Sequence, residues 1–147
     1  MGKSEKELLE RPVIKDDEVV LRALHEPFWD SEANRGTPSA FVGNLISVSR
    51  VAILSEEAIL AIFRRDLETE SRVVNGFAEV DVASIRGCGE TANGGDGVFL
   101  CVVEDPISTD NDAHAEIMGS DEKKTAFKKI TRGVANKILQ KCKFKVL

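Results

Sequence analysis

The chain has 147 residues, 42% of them hydrophobic and 31% charged, with a net charge of −5; these are the proportions of one soluble globular domain and exclude a disordered or fibrous chain. No run approaches the 18 apolar residues a membrane helix requires, and the charged residues 1–11 lack the apolar stretch of a secretory signal. The expectation is a single cytoplasmic domain over residues 1–147 with no membrane association.

Residues 3–11 suit a helical turn or two ended by Pro12, so 1–12 is expected as a loosely attached segment. Residues 16–24, with Val19, Val20, Leu21 and Leu24, fit strand or helix. Pro27, Gly36, Pro38 and Gly43 punctuate 25–43 as a loop, and the β-branched residues of 46–53 predict a strand. Ser55 then caps a helix: Glu56 and Glu57 suit its positive end, and Ile59, Leu60, Ile62, Phe63 and Leu67 form its apolar face. Residues 78–85 alternate as a second strand.

The five glycines of 87–97 form a connection rather than a phosphate loop, because no Gly-Lys-Ser/Thr follows. The unbroken apolar run 98–103 predicts a central strand buried on both faces. After the Asp105-Pro106 turn, 107–112 reads as a solvated acidic loop and 113–118 as a short strand. Residues 119–122 supply a cap and two acids for a last helix, along which Phe127, Ile130, Val134, Ile138 and Cys142 recur at helical spacing. The sum is an α+β domain: helices packed on a mixed sheet of about four to six strands, closed by a C-terminal amphipathic basic helix.

Charge is uneven. Nine basic and no acidic residues fall between Lys123 and the end, leaving 11 Lys and Arg against 25 Asp and Glu elsewhere, a balance of −14. The basic helix could track a nucleic-acid backbone or an acidic protein surface, although a domain with pI near 5.1 argues against specific nucleic-acid recognition. Three scattered cysteines make neither a disulfide framework nor a four-cysteine zinc site. Cys101 and Cys142 read as buried apolar residues and Cys88 as exposed among glycines.

Candidate chemistry centres on the two histidines. His114 and Glu116, two apart on a strand, share a face. With His25 they could hold a metal as a facial triad, or His25 and His114 could act as acid and base with Glu116 orienting the imidazole. If the chain is an enzyme, the candidate catalytic residues are His25, His114 and Glu116 in acid–base work, with no metal and no cofactor expected. Arg22, Arg35, Ser39 and Ser47 suit a phosphate or another small anion, through the guanidinium fork and neutral hydroxyls, and Phe28 and Trp29 offer a stacking face or a core anchor.

The pattern Arg22-x-x-His25-x-Pro27, with Ser39-x-Phe41, Ser47-Val48 and Ala113-His114-Ala115-Glu116-Ile117 after Asp105-Pro106, resembles that of a set of small bacterial proteins without assigned activity. The resemblance spans residues 21–119 and implies only that Arg22, His25, Ser39, Ser47 and His114 belong together. The order of Arg22 or His25, then Ser47, then Glu116 is also similar to that of the NAD-consuming ADP-ribosyltransferases. The leading expectation is an accessory or binding protein, monomeric or homodimeric, that takes a protein partner or a small anionic ligand on the Arg/His/Ser patch. The competing one is a small enzyme acting on a nucleotide or RNA: ribonuclease-like through the two histidines, or NAD-using with Glu116 as the carboxylate.

Overall fold

A computed structural model describes residues 5–89, 97–107 and 111–147. The elements in chain order are α1 (Glu5–Leu9), β1 (Val19–Leu24), β2 (Trp29–Asp30), β3 (Arg35–Gly36), a 3-10 turn (Pro38–Phe41), β4 (Leu45–Arg50), α2 (Glu56–Leu67), β5 (Gly76–Asp81), α3 (Val82–Gly87), β6 (Phe99–Glu104), β7 (His114–Ser120), α4 (Arg132–Lys141) and β8 (Lys143–Val146). Six strands form one sheet in the order β6-β7-β4-β1-β5-β8, each neighbouring pair antiparallel, and β2 and β3 form a separate small ribbon. The chain is an α+β domain. Among the described residues no helix is long and apolar enough to cross a membrane.

Period-two alternation sorts side chains to the two faces of the sheet. Val20 and Leu24 of β1, Ile46 and Val48 of β4, and Ala115 and Ile117 of β7 join the main core with Ile85, Val134 and Ile138 from α3 and α4. On the opposite face Leu21, Ala23 and Phe77 meet Ile59 and Phe63 of α2. Leu9 of α1, in the stretch expected to be loosely attached, is buried with Val103 and Met118.

The structure redraws three elements. Residues 82–85 belong to a helix, because Asp81 accepts from the Ser84 backbone N–H and caps it, ending β5. The last helix starts at Arg132 rather than at 119–122. Ser120 is still strand, and the Asp121 carboxylate closes a turn by accepting from the Thr125 and Ala126 N–H groups and the Thr125 hydroxyl. Lys124 lies at φ +57, outside helical space, and Thr131 is the cap, accepting from Val134 N–H. The nine basic residues are thus divided among the turn before α4, the amphipathic helix α4 itself, which carries Arg132, Lys137 and Lys141, and the strand β8. Finally, β6 is an edge strand of the sheet rather than a central one. Its burial comes from Leu100 and Val102 facing the main core, Val103 facing the α1 side, and residues 12–14 running beside it. Glu104 N–H donates to Pro12 O at 3.0 Å and Ile14 N–H to Val102 O at 2.9 Å.

Candidate functional site

The β1–β4 ladder registers only Val20↔Arg50 and Leu21↔Ser49, and beyond that point the strands splay. Arg22 fills the opening. Its Nη1 donates to Ser47 O at 3.0 Å and its Nε to Ala40 O at 2.9 Å, so the guanidinium satisfies a β4 carbonyl that a continued ladder would have paired and one from the 3-10 turn. Burial pulls Arg22 down to about 10, with Glu116 working against the shift, so it remains a cation at neutral pH. Two of its five N–H donors go to these carbonyls and the rest are available to an anion.

A cavity of about 370 Å³ opens at this splay. Arg22, His25, Ser47 and His114, brought from β1, the loop after it, β4 and β7, line it together. Phe28 forms one side, its ring 5.3 Å from the His25 ring and 5.6 Å from the Arg22 guanidinium carbon. Ile62, Phe63, Asp66 and Leu67 of α2 close the cavity from above the sheet, and Asn111 borders it near His114.

Both imidazoles are oriented by main-chain carbonyls. His25 Nδ1 lies 2.8 Å from Glu26 O, and His114 Nδ1 lies 2.8 Å from Asp105 O. A carbonyl can only accept, so each Nδ1 carries a proton and each Nε2 is turned away from the main chain. Glu116 shares the face of His114, as the two-residue spacing predicts, with Oε1 at 3.5 Å from His114 Nε2. It is buried behind Ser47, whose hydroxyl donates to the same oxygen at 3.2 Å, and it is not among the cavity-lining residues.

Arg35 and Ser39 lie elsewhere. Arg35, on β3, stands over the Phe144 ring at 5.6 Å, and Ser39 sits in the 3-10 turn, where its carbonyl accepts from Val42 N–H. Trp29 is buried in the core, leaving Phe28 alone at the cavity. Cys88 is buried rather than exposed: it ends α3, its thiol donates to Ser84 O, and burial pushes it up. Cys142 is half-buried and pushed up to about 12 for the same reason. The glycine-rich stretch 90–96 and Asp110 lie outside the described residues.

From the sequence, Asp105 reads only as a solvated acid of the turn, whereas its side chain is 13% exposed. It directly follows β6, and its N–H donates to His114 O at 3.0 Å across the hairpin, which brings Oδ2 to 3.4 Å from His114 Nδ1. The signal was the β6–β7 register, Glu104 opposite Ala115, which places 105 beside 114. No known family model, curated protein or solved structure matches the chain.

Proposed function

We propose that the chain binds a small organic anion, of the size and charge of a nucleoside monophosphate, in the cavity at the β1–β4 splay. One observation carries the reading: a half-buried guanidinium, two imidazoles and a serine hydroxyl from separate elements line a single 370 Å³ space beside an aromatic ring. A cation in a partly dry site holds an anion more strongly than one in water, and the planar fork suits phosphate or carboxylate oxygens. Phe28 and the α2 side chains give the apolar part of such a ligand a wall.

Isothermal titration of the full chain with adenosine monophosphate and with inorganic phosphate tests this. Saturable binding is expected, tighter for the nucleotide because of the apolar wall. Arg22→Lys, which loses the fork but keeps the charge, should weaken binding by about tenfold, and Ser47→Ala by roughly threefold. Absence of binding by the folded protein, or affinity unchanged in R22K, overturns the reading.

The common tautomer of the two histidines favours a second reading, in which His25 and His114 serve as acid and base on a nucleotide or RNA phosphodiester. Glu116, behind Ser47, supports an NAD-using role less well. Cleavage of a dinucleotide substrate that is lost in His25→Ala would establish the acid–base reading.

A further inference from the structure

We propose that Asp105, His114 and Glu116 bind a divalent transition ion, with zinc as the expected occupant. The proposal replaces the sequence expectation of no metal, and Asp105 takes the place that a facial triad would have given His25. One ligand atom from each of the three residues lies within 4.8 Å of the others. These are not surface acids: the three side chains are only 13%, 13% and 11% exposed.

The spacing of the donor atoms suits ligands of one ion. A zinc ion with donors at about 2.0–2.2 Å in tetrahedral array holds neighbouring donor atoms roughly 3.3–3.6 Å apart. His114 Nε2 and Glu116 Oε1 stand at 3.5 Å, within the ligand-edge range. The remaining ring nitrogen is already committed. Nδ1 donates to Asp105 O at 2.8 Å, the outer contact that orients a metal-binding imidazole and presents Nε2. Ser47 does the same for the carboxylate, donating to Glu116 Oε1 at 3.2 Å. One imidazole and two carboxylates form a borderline nitrogen and oxygen donor set that suits zinc. Three protein ligands leave at least one coordination position for water or a ligand, and His114 lies on the cavity wall.

The site stands on β6 and β7 and does not depend on the anion reading. An ion here would hold His114 as a ligand and leave proton transfer in the cavity to His25.

The test is titration of chelator-treated, full-length protein with zinc chloride, followed by cobalt(II) absorption. One equivalent of zinc should bind, and the cobalt form should show weak visible d–d bands without a thiolate charge-transfer band. Losing an outer contact already costs about 10–100-fold in affinity, so Ser47→Ala should fall in that range. Asp105→Asn and Glu116→Gln should fall at or beyond it, while His25→Ala should bind zinc as the parent does. Glu116 is buried, so where its variant misfolds, Asp105→Asn, just past the edge strand β6, decides. Absence of one-equivalent binding, affinity unchanged in D105N, or a thiolate band tracing the ion to a cysteine overturns the proposal. Phosphate or nucleotide titration of the metal-free protein separates this outcome from failure of the anion site.

Discussion

A single ion pair shows what burial adds at the residue scale. Glu18 accepts from Arg50 Nε and Nη2 at 2.7 Å each, a two-pronged bond between side chains 11% and 16% exposed. The hydrogen bonds from Arg50 outweigh desolvation and hold the Glu18 carboxyl below its ordinary value of 4.5. Because the folded-state value is the lower one, the stabilisation is complete above about pH 4.5 and fades as pH falls through that value toward the folded one. Glu18→Gln should cost about 1–2 kcal/mol at pH 7. In urea unfolding at pH 7 and pH 3, the gap between parent and variant should narrow at the lower pH. The same scale marks where sequence reading stopped at the site. The pairing of His114 with Glu116 needed only strand alternation and was legible. Asp105 needed the hairpin register, and the backbone role of Arg22 needed the point where β1 and β4 part, and neither is written in local pattern.

At the scale of elements, local chemistry was legible wherever it was decisive. Ser55 and the acids after it fix the start of α2, and the observed cap bond from Ala58 N–H to Ser55 Oγ follows from that pattern. The last helix misled because its apolar spacing extends upstream through the half-buried Phe127 and the buried Ile130, which are covered for another reason. Phe127 pairs with Ser120 at the end of β7, and Ile130 bridges Gly43. The cap expected within 119–122 fails because the chain leaves helical space at Lys124, with its positive φ, and Thr131 caps α4 instead. Thr131→Ala should therefore destabilise the protein by about 1 kcal/mol, measured by denaturant unfolding. An unchanged midpoint in T131A would mean that the α4 cap bond contributes nothing. The run 98–103 misled differently. Continuous apolar sequence reports cover on both faces, which an edge strand also has when other segments pack over it.

At the scale of the molecule, the two edges of the sheet are guarded by different means. β8 is short and carries Lys143 and Lys145, charges that discourage another strand from docking. β6 reads Phe-Leu-Cys-Val-Val-Glu, without such protection, and its exposed flank is occupied by residues 12–14, held by two backbone hydrogen bonds and by the buried side chains of Leu8, Leu9 and Ile14. The N-terminal stretch thus works as an edge cover and as the lid of the small core around Val103 and Met118. Deleting residues 1–15 should remove both at once, uncovering the ladder groups of Val102 and Glu104 together with apolar surface. The expected result is a lower Tm and concentration-dependent association in light scattering, with faster amide exchange concentrated in β6. Because Arg11 also lies 3.5 Å from Asp105 Oδ1, the deletion would reach the histidine cluster at the same time. A monomeric, equally stable deletion variant would show that β6 resists pairing without its cover, and that the Asp105 carboxylate is positioned by the β6–β7 hairpin alone.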